Sequence, residues 1–137
     1  MPSDTAWTNI LGIMNDRIRV FNVDDHPHVR EGMAMFIDSQ PDMLMVAQAS
    51  NGREAIERFR EYKPDVTLMD LRLPDMSGID ATVAIRTEFP EARIIILTTF
   101  DSDTDRQQAL AAGASAFVLK NAGPRKVVEA IHQVHAG

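Results

Sequence analysis

The chain has 137 residues, 45% of them hydrophobic and 25% charged, with a formal charge of −6 and no cysteine. That size and balance predict one soluble globular domain; the negative charge argues against direct nucleic-acid binding, which rewards Lys and Arg. Without cysteine there are no disulfides or thiolate chemistry. No run approaches the roughly 20 apolar residues that span a membrane, and no secretory leader is recognisable, so a cytoplasmic protein is expected.

Residues 1–16 show no clear periodicity and carry the only tryptophan, Trp7. They are expected to be an N-terminal extension, poorly ordered or vector-derived, with Met14 as an alternative start. From there strand-like and helix-like segments alternate five times. Ile18-Arg19-Val20-Phe21-Asn22-Val23 is the first strand, and Pro27 opens a helix with Val29, Met33, Phe36 and Ile37 on one stripe. A second strand is expected over 43–49. Asn51 and Glu54 then form a capping-box pattern before Ala55, Ile56, Phe59 and Tyr62, and Lys63-Pro64 ends that helix.

A third strand covers 66–69, and a helix from about Ser77 or Gly78 to Phe89 stops at Pro90. The fourth strand covers 93–98. Ser102 with Asp105 caps the next helix, and Gly113 suits the position just past its end. The fifth strand covers 115–119, and Pro124 opens a last helix with Val127, Val128, Ile131 and Val134 facing inward. Such alternation with short connections predicts a parallel sheet covered by helices on both faces.

The strands end in chemically related residues. Asp24 and Asp25 follow the first, Asp70 the third, Thr98 ends the fourth and Lys120 follows the fifth. If these strands are neighbours, the side chains meet at the edge where open parallel sheets bind ligands. Three carboxylates suit Mg²⁺ (or Mn²⁺), which prefers oxygen donors. Asp70, exposed by the loop that Pro74 and Gly78 shape, can attack phosphorus and form an aspartyl phosphate. Thr98 and Lys120 can then donate to phosphoryl oxygens. Capping of the first helix is the competing role for Asp24 and Asp25. The acidic first loop is unlike a glycine-rich phosphate cradle. Asp101-Ser102-Asp103-Thr104-Asp105 mimics a calcium loop, but Arg106 and Ala112 stand where that loop needs Gly and Glu. His26 reads as a loop or first-turn residue, and His132 and His135 as surface residues.

These five residues, with Val23-Asp24-Asp25-His26-Pro27, Asp70-Leu71-Arg72-Leu73-Pro74, Leu97-Thr98-Thr99-Phe100 and Ala112-Gly113-Ala114-Ser115-Ala116-Phe117-Val118-Leu119-Lys120, resemble the receiver domains of two-component response regulators in the NarL/FixJ (LuxR-type) branch. The likeness covers nearly all of 17–137. It implies a flavodoxin-like α/β three-layer sandwich with strand order 2-1-3-4-5. It also implies that Asp70 accepts phosphate from a sensor histidine kinase. Asp25, Asp70 and the Arg72 carbonyl would hold Mg²⁺, with Asp24 in reach through water. Thr98 and Phe117 would act as the switch, and Lys120 would pair with the phosphoryl group.

The same likeness implies an output in transcription through a helix-turn-helix domain, absent from this sequence, and a phosphorylation-dependent homodimer. The dimer would form through the first and fifth helices or the fourth helix and fifth strand. Asn121 stands where many receivers have a proline after the lysine, so no cis bond is expected there. Phe117 replaces the commoner tyrosine. Arg72 and Phe100 are expected to obstruct the water that would remove the phosphoryl group. A Mg²⁺-dependent phosphohydrolase with an aspartyl-phosphate intermediate is the alternative from another class, but its nucleophile belongs after the first strand. A flavin-binding protein would need a phosphate loop rich in Ser, Thr and Gly, and a stand-alone receiver acting by protein contacts fits the same site.

Overall fold

A computed structural model describes residues 16–137. Nearly all of the expected N-terminal extension lies outside the described residues. The elements are β1 (Ile18–Val23), α1 (Pro27–Asp38), β2 (Met43–Ala49), α2 (Gly52–Tyr62), β3 (Val66–Asp70), α3 (Gly78–Glu88), β4 (Ile94–Thr98), α4 (Asp103–Ala111), β5 (Ala116–Leu119) and α5 (Pro124–Ala136). A 3₁₀ turn at Lys120–Ala122 links β5 to α5. All five strands are parallel, in the order β2-β1-β3-β4-β5. The alternation implies a parallel sheet covered on both faces, and this strand order is that of the flavodoxin-like fold the resemblance implies.

Alternation along the strands divides the core. Phe21, Val23, Met69, Ile94 and Ile96 meet Ala55, Phe59, Ala81, Ile85 and Ala109 of α2, α3 and α4. Val20, Leu68, Ile95 and Leu97 face the other way, onto Ile37, Val127 and Ile131 of α1 and α5. Every residue of β3 and β4 is buried, as strands covered on both faces require, whereas β5 is half-buried at the sheet's edge. On α1 the expected stripe deepens along the helix: Val29 is 43% exposed, Met33 is half-buried and Ile37 is fully buried.

The helix ends follow their local chemistry. Asn51, Ser77 and Ser102 each accept a hydrogen bond from the backbone N–H three residues on, which satisfies an otherwise unpaired donor of the first turn. Glu54 reaches back to the N–H of Ser50, one residue earlier than in a standard capping box. Gly113 follows α4 at φ +98°, a left-handed conformation that suits glycine. Helix α3 stops at Glu88, one residue earlier than expected, because Phe89 precedes Pro90 and leaves the helical region. All described peptide bonds are trans, including the one after Lys120.

Register carries the strand ends to one edge. Asp70 pairs with Leu97, and Thr98 with Leu119, so Thr98 lies next to Asp70 and Lys120 follows directly. The loop after Asp70 folds back on itself: Gly78 N–H donates to the Leu71 carbonyl at 2.7 Å, and Arg72 bridges to Ser77. A side chain at Gly78 would overlap the Asp70 carbonyl oxygen, which is backbone and has little room to yield. Gly78→Ala is therefore expected to lower the unfolding free energy by roughly 1–3 kcal/mol. Gly32→Ala, mid-helix with nothing within 4 Å, should raise it by about 0.5–1 kcal/mol. Urea unfolding of the two variants checks both signs.

Candidate functional site

At the carboxyl edge of the sheet a cleft of about 300 Å³ is lined by Asp25, His26, Asp70, Arg72, Leu73, Pro74, Thr98, Thr99 and Lys120. Asp24 lies beneath it, 3% exposed. The Lys120 ammonium binds them together, 2.7 Å from Asp24 Oδ2 and 3.2 Å from Asp70 Oδ2. Asp24 Oδ1 accepts the His26 backbone N–H at 2.9 Å, and His26 Nδ1 lies 3.0 Å from the same oxygen. The Arg30 guanidinium donates to the Asp24 carbonyl at 2.6 Å and fixes the β1–α1 loop from outside. Asp24 thus holds the loop and the lysine rather than capping α1, whose N-cap residue, His26, makes no side-chain cap.

The carboxylates differ in their electrostatics. Burial pushes Asp24 up, but the hydrogen bonds from Lys120 and from the His26 N–H outweigh it and hold its carboxyl below the ordinary value. Asp70, expected to be exposed by its loop, is instead buried at 7% exposure, and its carboxyl is raised chiefly by that burial; attraction to Lys120 opposes this and repulsion from Asp24 adds to it. Lys120 is raised in spite of its burial, because the Asp24 hydrogen bond and the charge of Asp70 favour the ammonium. Asp70 is therefore a carboxyl group in an environment that disfavours its charged form.

Asp24, Asp25, His26 and Asp70 each offer a ligand atom, all within 4.8 Å of one another. Asp25 Oδ1 is closed off from solvent and makes no well-aligned hydrogen bond among the described residues, with His26 Nδ1 3.0 Å from it. Such an acceptor is poorly satisfied, and a divalent cation in the cleft suits it and the neighbouring carboxylates, so the residues fit one. Thr98 Oγ1 accepts the Phe100 N–H at 3.3 Å, which leaves its own hydroxyl proton free to donate. Thr99, one residue past the end of β4, also lines the cleft, from an exposed position.

Two expected residues lie apart from this cluster. Phe100, expected beside the site, is 66% exposed and does not line the cleft, whereas Arg72 does. Phe117 is half-buried on β5, away from the cleft, with the Arg106 guanidinium 4.7 Å from its ring centroid. Asp101 pairs with Arg106 at 3.2 Å and Ser102 caps α4, so the calcium-like stretch serves the helix. His132 pairs with Asp42 at 2.7 Å. His26 and Arg30 were not legible as members of the site. For His26 the only signal was its adjacency to two aspartates, and for Arg30 there was none.

The response regulator receiver domain family matches residues 20–132. The response regulator protein VraR of Staphylococcus aureus is 36% identical over 120 residues, covering 88% of this chain and 57% of VraR. The chain thus spans little more than half the length of that relative. A two-component response regulator of the LuxR family from Aurantimonas sp. SI85-9A1 superposes with a TM-score of 0.86 at 41% identity, over 88% of this chain and 86% of that one. A DNA-binding response regulator of the LuxR family from S. aureus gives 0.81 at 28% identity, over 86% and 98%.

The raised Asp70 carboxyl has a measurable consequence. Above its folded pKa the ionised group penalises the folded state, whereas below the unfolded value of about 3.8 it is protonated in both states and the penalty vanishes. Asp70→Asn is therefore expected to stabilise the fold at pH 7. The gain should shrink as pH falls through the raised folded value and be lost below about 3.8. Denaturant unfolding of both proteins across that range tests the sign.

Proposed function

The chain belongs to the response regulator receiver family and is the receiver domain of a two-component response regulator; from that premise we propose that Asp70 is its phosphoacceptor, in a Mg²⁺-dependent reaction with a sensor histidine kinase. The observation that carries this reading is one cleft lined by a buried carboxylate, a free hydroxyl, an ammonium and a poorly satisfied carboxylate oxygen. An Asp70 carboxylate oxygen attacks phosphorus. The O–P bond forms as the bond from phosphorus to the donor's imidazole nitrogen breaks, and that nitrogen keeps the electron pair. Burial of Asp70 leaves its oxygens weakly solvated and reactive. Lys120, 3.2 Å from Asp70 Oδ2, pairs with one phosphoryl oxygen, and the Thr98 hydroxyl donates to another. Asp25, Asp70 and the Arg72 carbonyl would hold the divalent ion, with Asp24 in reach through water. The ion supplies neutralisation of the phosphoryl charge when bound.

In this reading residues 17–137 are a cytoplasmic signalling module that turns over no external substrate. Thr98 and Phe117 convert the phosphoryl group into a changed outer surface. That surface governs a phosphorylation-dependent homodimer and a transcriptional output. The output is supported by the DNA-binding LuxR-family relative.

Intact mass after incubation with acetyl phosphate tests the assignment. Wild type with Mg²⁺ should gain one phosphoryl group; Asp70→Asn, or wild type without a divalent ion, should gain none. A folded protein that gains none would sink the assignment, and steady phosphate release from many substrates would favour a phosphohydrolase. Once phosphorylated, Arg72→Ala should lose the group several-fold faster than wild type, whereas Phe100→Ala, altered outside the cleft, should match wild type. Both rates are read from the decay of the adduct.

A further inference from the structure

Asn51 and Gly52 form the only Asn–Gly pair in the sequence. Such a pair is chemically labile, because a following glycine leaves its backbone nitrogen unshielded beside the asparagine amide. Space requires the glycine here. Its φ is not left-handed, but a Cβ would overlap Met76 Cγ and Sδ, on the loop that follows Asp70. Asn51 is half-buried and lines a surface cleft with Arg53, Glu54 and Asp75, so water reaches it.

The groups that would react are all engaged. Asp75 Oδ1 accepts the Gly52 N–H at 2.8 Å, and its Oδ2 accepts the Arg53 N–H at 2.9 Å. Asn51 Oδ1 accepts the Glu54 N–H at 2.8 Å, and Asn51 Nδ2 donates to Glu54 Oε2 at 3.3 Å. The Gly52 N–H is also the chief reason that the Asp75 carboxyl lies below its ordinary value, which makes Asp75 a steady acceptor and a weak base. Asp75 and Gly52 are 23 residues apart. Their bond is therefore tertiary and lasts only while the β3–α3 loop is in place.

We propose that Asn51 is a deamidation site and that Asp75 gates it. In the reaction the Gly52 backbone nitrogen attacks the side-chain carbonyl carbon of Asn51. A new C–N bond closes a succinimide ring as the bond to the side-chain nitrogen breaks, and ammonia leaves with the Gly52 proton. Water then opens the ring at either carbonyl, giving aspartate or isoaspartate. While the loop is seated, the attacking nitrogen keeps its proton on Asp75, and the Asn51 side chain must break both bonds to Glu54 before it can turn. Aspartate at this position still caps α2 but sets a second carboxylate against Glu54. Isoaspartate lengthens the backbone, parts Gly52 from Asp75 and frees the loop. The site lies outside the phosphoacceptor cleft and does not rest on the reading of that cleft.

The test is to age the full chain in mildly alkaline buffer and follow the Asn51 peptide by its mass and its isoaspartate content. Chain unfolded in guanidinium gives the ungated rate, and folded wild type should react far more slowly. Folded Asp75→Ala should react roughly threefold to tenfold faster than folded wild type, the factor that loss of one ordinary hydrogen bond implies. Asp75→Asn keeps an acceptor oxygen and should stay within about twofold of wild type. Ile131→Val, which loosens the buried core away from this loop, should leave the rate unchanged. Failure of the unfolded chain to convert Asn51 would overturn the site. A folded Asp75→Ala that reacts no faster than wild type would overturn the gate, and a slower one would make Asp75 a base for the reaction and overturn it too. Equal acceleration by Asp75→Ala and Ile131→Val would assign the protection to global stability, and the gate would fall.

Discussion

Lys120 and Asp24 are 96 residues apart in the chain, yet their side chains meet at 2.7 Å, with Asp70 3.2 Å from the same ammonium. The arrangement of the edge depends on this contact. Two largely buried carboxylates would repel each other without it, and a largely buried ammonium would be equally unfavourable alone. Removing Lys120 would leave two buried carboxylates uncompensated, at a cost of about 3–5 kcal/mol. Strand order supplies the partners. With β1 and β3 adjacent at the centre and β4 and β5 following, the ends of β1, β3 and β5 converge across the front of β4. A different order of the same strands would scatter the three charges and leave each one buried and unpaired.

The same contact gives neighbouring aspartates different properties. Asp24 is used up by the lysine and by the loop it shapes, and its carboxyl is held low. Asp70 shares the lysine but stays raised by its burial. Asp25 keeps an oxygen that makes no well-aligned hydrogen bond, with His26 Nδ1 3.0 Å from it. One carboxylate is therefore structural, one is held in an environment that disfavours its charge, and one is open to a cation. This division suits the proposed phosphoacceptor chemistry better than three equivalent acids would. An acceptor must be reactive and a metal ligand must be available, whereas the anchor must be neither.

The strands and their ends were legible because both depend on short-range patterns. Apolar runs stop at polar residues, Asn51, Ser77 and Ser102 mark helix starts, and Pro64, Pro90 and Gly113 mark stops. The five residues expected at the edge do meet there because parallel register leaves little freedom once those runs are neighbours. Side-chain direction outside regular elements was not legible. Phe100 and Thr99 follow the last residue of β4, where the period of two no longer applies, so Thr99 turns to the cleft and Phe100 to solvent. His26 and Arg30 joined the site through loop geometry that no periodicity encodes. The small shifts at strand and helix ends reflect how weakly a sequence fixes the last residue of an element.

The link from the cleft to the outer surface runs through groups that sequence patterns left unconnected. Asp101, just beyond Thr98 and Phe100, pairs with Arg106 at 3.2 Å, and the Arg106 guanidinium lies 4.7 Å from the Phe117 ring centroid. The first turn of α4 is therefore attached to the loop that follows Thr98 and to the aromatic proposed to move with it. A surface ion pair and a cation–π contact are each worth about 1 kcal/mol or less. Links of that strength hold Phe117 in a preferred position without locking it. In the proposed switch, a charge added at Asp70 needs to supply only a modest differential to change which position is favoured, and that is the condition for a usable two-state surface.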